Sequence, residues 1–211
     1  MYQLPQYHEK DEKQVLAFMQ EHAFAMLIGT DAEQKPVATQ VPFLFVEKEG
    51  ALYLRGHIMK NTDHHIAFVQ NNQALVIFTG PHAYISASWY ENKQQASTWN
   101  YMSVHARGEL SFLQEEELLL MLDELTAYYE QNSDSPSLYK SMPTEYIMRL
   151  SKAIIAFEIK VHSIEHVFKL SQNRDEKSYR HIIEALEKGN AGAKDIALEM
   201  TKRKAQIFPH E

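Results

Sequence analysis

The chain has 211 residues, 45% of them hydrophobic, and a formal net charge of −7, enough to bury a substantial core in one large domain or a domain with an appendage. Cysteine is absent, which excludes disulfide frameworks, thiolate metal sites, iron–sulfur clusters and cysteine nucleophiles. The negative field disfavours nucleic acid unless basic residues gather on one face. The opening MYQLPQYHEKDEKQ has neither a basic start nor an apolar signal core. With no long apolar window, this points to a soluble, cytoplasmic protein.

Asp11 is placed to cap a first helix in which Val15, Phe18, Met19 and His22 recur at helical spacing, followed by a strand in FAMLIGT. Thr30 to Lys35 reads as a turn, VATQVPFLFV (37–46) as a strand, Glu47 to Gly50 as a polar turn and ALYLRGHI (51–58) as a third strand. A short helix is expected over Thr62 to Gln70. The strand ALVIFTG (74–80) then runs through Gly80-Pro81 into HAYISASWY, and TWNYMSVHARGELSFL forms one bent strand or two joined ones.

A helix over Gln114 to Gln131 carries Leu118, Leu119, Leu122, Leu125 and Tyr129 as an apolar stripe behind an acidic start that suits the helix dipole. NSDSPS is a loop, Thr144 to Leu150 a helical turn, and AIIAFEIKVHSIEHVFKL the last long strand. Two amphipathic segments close the chain, separated by EKGNAG, one with Tyr179, Ile182, Ile183 and Leu186, the other with Ala193, Ile196, Ala197 and Met200. There are no repeats and no linker before Leu170. The pattern is an α+β domain, mainly β at its core, built on an antiparallel β-barrel.

LYLRGHIMKNTDHH (52–65) concentrates polar residues at the end of an apolar strand. Alternation puts Arg55 and His57 on one face, and Lys60 and Asn61 follow where a helix begins, an arrangement that favours a phosphate. Simple capping by Asn61, Thr62 or Asp63 explains the same residues equally well. A metal is disfavoured. His64 and His65 diverge by about 100° on a helix, and His162 and His166 stand roughly 13 Å apart on an extended strand.

HAYISASWY and YMSVHARG each present a ladder of hydroxyl and ring groups: His82, Tyr84, Ser86 and Ser88 on one, Tyr101, Ser103, His105 and Arg107 on the other. Such a mixture suits a flat heteroaromatic ligand, but from the residues alone a half-exposed sheet with cross-strand hydrogen bonds is the somewhat better supported reading. No nucleophile elbow, P-loop or dinucleotide fingerprint occurs, so no catalytic residue is assigned.

RGHIMKN, FTGPHAYISASWY, TWNYMSVHARGEL and FKLSQNR, taken together and in this order, resemble the PaiB-type FMN-binding negative transcriptional regulators. That family belongs to the split-barrel flavin-binding group related to pyridoxamine phosphate oxidase. The resemblance implies a six-stranded antiparallel split barrel with peripheral helices over 1–170, a C-terminal helical extension packed on it over 171–211, and a homodimer holding FMN at its interface. It also implies that His57, Lys60 and Asn61, with Arg55 nearby, lie at the ribityl-phosphate end. Tyr101, Ser103 and Val104 would approach the flavin ring, Trp99 and Asn100 would flank it, and Lys169, Gln172 and Asn173 would close the site.

The function so implied is negative regulation of transcription in protease synthesis and sporulation. The alternative is an FMN-dependent oxidoreductase or flavin reductase of the same fold group, and haem binding through one of the eleven histidines is a third reading. A DNA reader is not evident. KSYRHIIEALEKGNAGAKDIALEMTKRK superficially matches a helix-turn-helix, but such a pair is more often a helical hairpin packed on the barrel.

Overall fold

The computed structural model describes residues 1–2 and 4–209. In chain order the elements are α1 (Glu12–Glu21), β1 (Phe24–Thr30), β2 (Pro36–Pro42), β3 (Leu44–Lys48), β4 (Ala51–Met59), α2 (Asp63–Gln70), β5 (Gln73–Ile85), β6 (Thr98–Phe112), α3 (Glu115–Glu130), α4 (Thr144–Ser151), β7 (Ile154–Lys169), α5 (Glu176–Leu186) and α6 (Ala191–Ile207). The chain forms two compact units, one of Ala23–Phe78 and His105–Ile164, the other of Met1–His22, Thr79–Val104 and Glu165–Glu211.

The first unit is built on an antiparallel sheet of order β2-β1-β5-β6-β7-β4-β3. It has seven strands where six were expected, because the 37–46 run divides at Phe43. Pro42 ends β2, which pairs with β1. Phe43 gives its amide to the Ala23 carbonyl at 2.9 Å, and the chain continues as β3 along β4 at the opposite sheet edge. A proline offers no amide to continue a ladder, which is why the change of partner falls there.

That crossing curls the sheet. A Cβ at Gly56 on β4 would stand 2.9 Å from Val41 of β2 and 2.9 Å from the Phe157 ring, so strands at opposite ends of the sheet order meet where glycine leaves room. This is the split-barrel arrangement of an α+β chain. Phe43, Phe78 and Phe157 fill its centre, with Phe43 5.9 Å from Phe78 and 6.1 Å from Phe157 between ring centroids. Leu27, Leu54 and Ile159 are buried with them. Each large apolar side chain so buried contributes about 1.5–3 kcal/mol. The β3–β4 turn places Glu49 and Gly50 in the left-handed region, at φ 52° and 77°, as a tight hairpin requires.

In the second unit α1 begins as expected, with the Asp11 carboxylate accepting from the Lys13 amide. Its buried Val15, Phe18 and Met19 pack inward, and Phe18 meets Phe168 at 5.1 Å. The hairpin α5–α6 buries Tyr179, Ile182, Ile183 and Leu186 from one helix and Ala193, Ile196, Ala197 and Met200 from the other. The Tyr179 hydroxyl donates to the Met200 carbonyl at 2.9 Å. Ser86 and Ser88 do not extend the β5 ladder. The strand stops at Ile85, and the Ser86 side chain accepts from the Ser88 amide to cap a short 3-10 turn, the local bonding that makes serine leave strands.

Candidate functional site

The sequence-assigned residues fall into two groups. Arg55, His57, Lys60 and Asn61 belong to the β4–α2 junction in the first unit, whereas Trp99, Asn100, Tyr101, Ser103, Val104, Lys169, Gln172 and Asn173 all belong to the second.

At the β4–α2 junction, Thr62 is the cap. Its hydroxyl oxygen accepts from the His65 amide at 3.4 Å and donates to the Met59 carbonyl at 2.9 Å. Asn61 turns the corner in the left-handed region, at φ 62°, and its amide donates to His65 Nδ1 at 3.1 Å. Asp63 accepts from the His64 amide at 2.7 Å. The His64 and His65 amides in the first turn of α2 are therefore already partnered, which leaves less of the helix terminus to an anion and more to side chains.

Two side chains there are unengaged. The Lys60 ammonium is exposed and has no partner among the described residues. His57 Nδ1 is buried with no hydrogen bond, and burial pushes the imidazole below its usual pKa, which keeps it neutral. Arg55 is differently placed. Its Nε and Nη2 donate to Glu158 Oε2 at 3.2 and 3.0 Å, and the same oxygen accepts from Lys48 at 2.9 Å. Burial would raise the Glu158 pKa, but the hydrogen bonds and charges of Lys48 and Arg55 outweigh it and hold the carboxyl low. Lys60 also borders a cavity of about 270 Å³ shared with Lys152, Ser151, Gln114 and Glu115. Its two ammonium groups outnumber its one carboxylate, so an anion is favoured there.

In the second unit Trp99 is 54% exposed although it sits in a strand. Its ring lies edge-on to Tyr84 at 5.8 Å and tilted against His82 at 6.1 Å, which makes an open aromatic shelf. In the sequence His82 and Tyr84 form a polar ladder, and nothing there joins them to Trp99. The alternation of β5 was the available signal, and it could not show which strand lay opposite. Tyr101 is half-buried, its phenol pKa raised by burial and by the neighbouring Tyr2 and Tyr7. Ser103 is nearly buried and Val104 wholly so.

The FKLSQNR segment ends β7 and turns at Ser171, whose φ is 62°. The Lys169 ammonium donates to the Trp99 carbonyl at 2.7 Å and also to the Thr98 hydroxyl. Burial lowers its pKa, and Arg174 lowers it further. Ser171 donates to Asn100 Oδ1 at 3.1 Å inside the core, where Asn100 is fully buried. Gln172 bonds within its own turn, donating to the Phe168 carbonyl at 2.5 Å and accepting from the Leu170 amide at 2.7 Å. Asn173 is exposed.

Among the described residues no group of three or more His, Asp or Glu side chains is placed to hold a metal ion, and no helix is long and apolar enough to cross a membrane.

Residues 1–163 match the family model described as "Putative FMN-binding domain". Over 97% of this chain and 99% of the relative, the sequence is 36% identical to the protease synthase and sporulation protein PAI 2 of Bacillus subtilis. Two solved structures share the fold at low identity. The FAD and heme binding protein from Mycobacterium smegmatis gives a TM-score of 0.52 at 14% identity, covering 74% of this chain and 71% of that one. The flavocytochrome Anf3 from Azotobacter vinelandii gives 0.50 at 14%, covering 76% and 68%.

In chemical kind, the exposed ammonium of Lys60 in one unit suits a phosphate, and the exposed indole of Trp99 in the other suits an aromatic ring. FMN is accordingly the cofactor, and the chain belongs to the FMN-binding family that includes the Bacillus subtilis protein PAI 2.

Proposed function

We propose that this protein is a cytoplasmic FMN-binding negative regulator of transcription of the PaiB type, acting in the control of protease synthesis and sporulation. The observation that carries this reading is the 36% identity sustained over nearly the full length of both chains. FMN, when bound, supplies one- and two-electron redox chemistry. The protein's own residues hold and orient it. Lys60 would neutralise the phosphate, His57 and Asn61 would lie at the ribityl-phosphate end, Tyr101 and Ser103 would line the ring, and Trp99 would offer its indole for stacking. The protein works as a homodimer with FMN at the subunit interface, so the two groups of residues need not come from one copy.

The hairpin α5–α6 is a poor DNA reader. Lys177 and His181 lie against Glu91, Arg180 against Glu184, Lys202 and Arg203 against Glu199, and Lys204 against Glu176. The carboxylates beside these basic groups dilute the positive charge that a phosphate backbone would meet. Repression therefore runs through a partner or through metabolism rather than through these helices.

A protease-gene reporter in a host lacking its own copy tests the reading. Wild-type protein restores repression, a Lys60→Ala, Trp99→Ala double variant does not, and equal repression by both proteins would reject an FMN-dependent regulator.

A further inference from the structure

We infer that Lys169, Ser171 and Gln172 of the FKLSQNR turn serve FMN by fixing the Trp99 shelf rather than by touching the cofactor, with Lys169 as the positioning residue. This rests on the proposed stacking of the flavin on Trp99 and gives the turn a different task from closing the site.

The hydrogen-bonding groups of Lys169, Ser171 and Gln172 are directed into the protein, while Asn173 is exposed. Lys169 holds the Trp99 carbonyl at 2.7 Å and the neighbouring Thr98 hydroxyl. Ser171 holds the side chain of the next residue, Asn100, whose amide nitrogen in turn reaches Met200 Sδ at 3.5 Å. Gln172 is engaged at both ends by its own turn, so it shapes the loop that presents Lys169 and Ser171. Three consecutive residues, Thr98 to Asn100, are thus held from β7 and the turn after it.

The ring of Trp99 nevertheless remains open to solvent on its anchored backbone, supported by Tyr84 and His82. An exposed indole on a flexible strand end would lose rotational freedom on stacking. One whose backbone is already pinned loses less, and the difference appears as affinity.

The half-buried Lys169 ammonium meets two acceptors on successive residues of β6, so reaching a ligand would mean giving up both bonds. Lys169 is therefore a rigid strut and not a mobile arm for reaching a ligand.

The test is a double-mutant cycle on FMN affinity, using Trp99→Ala and Lys169→Met, with thermal unfolding recorded for each protein and the flavin midpoint potential measured for each that binds. Lys169→Met is expected to weaken FMN binding about tenfold in the wild-type background and to have almost no effect once Trp99 is alanine, since the two act as one unit. The midpoint potential stays unchanged, because no charge beside the flavin has been removed. In a Trp89→Phe background the FMN-free Lys169→Met protein shows altered Trp99 emission, and Lys169→Arg restores both binding and emission.

Should Lys169→Met fold poorly, Thr98→Val removes one of the two acceptors and is expected to give an intermediate loss with the same dependence on Trp99. Equal losses in both backgrounds, or a shifted potential, would mean that Lys169 meets FMN directly and would overturn the inference while leaving the stacking intact. An unchanged affinity in Trp99→Ala would instead overturn the stacking itself, and the inference with it.

Discussion

Arg55 on β4 stands directly opposite Glu158 on β7 and gives both its Nε and Nη2 to a single carboxylate oxygen, at 3.2 and 3.0 Å. Both side chains are largely shielded, 17% and 20% exposed, so the pair is a cross-strand clamp of the barrel. Arg55→Ala is expected to destabilise the protein by about 2 kcal/mol, because the remaining carboxylate keeps only Lys48. FMN affinity should fall less than about threefold. Urea unfolding together with FMN titration checks both halves.

The same clamp carries a pH dependence. Glu158 has its carboxyl pKa held low in the folded protein, so its stabilisation is complete above the unfolded value of about 4.3 and is lost as pH falls through the lower folded value. A Glu158→Gln variant is expected to lose stability at neutral pH and to show a flatter acid limb than wild type. Thermal melts from pH 3 to pH 7 measure the slope.

Burial lowers the pKa of His57. Below about pH 6.5 the unfolded chain takes up a proton that the folded chain resists, so stability falls as pH drops through that value and levels off below the folded pKa. His65 and His166 are lowered for the same first reason, so His57→Leu removes only part of the slope. It also removes an orphaned nitrogen. The cofactor-free variant is therefore expected to be more stable than wild type by about 1 kcal/mol while binding FMN more weakly. Loss of stability would show instead that Nδ1 is satisfied in solution.

Lys60 should behave in the opposite way. Exposed and without a partner among the described residues, it contributes little to the fold, and Lys60→Ala is expected to change stability by less than about 0.5 kcal/mol. FMN affinity should drop about tenfold, with a reduced dependence on salt. Isothermal titration at two ionic strengths reads both effects.

Elements with a local cause were legible in the sequence. Asp11 and Thr62 cap helices where hydroxyl or carboxylate residues precede an apolar repeat, and Glu49-Gly50 makes a tight turn. What depended on distant partners was not. Pro42 within an apolar run gave no sign that the chain would leave β1 for β4. Arg55 could not be seen to face Glu158, 103 residues away, so its charge looked available. The resemblance pointed to Lys169, but the bond to Trp99 spans 70 residues, and only the fold shows that the ammonium faces a carbonyl.

The most direct measurement is an FMN titration of the purified protein by flavin fluorescence and absorbance, with Lys60→Ala and Trp99→Ala beside it. Saturable binding, weakened by each substitution in a protein that unfolds at the wild-type temperature, is the expected result. A folded protein that does not take up FMN, or one whose binding neither substitution disturbs, would contradict it.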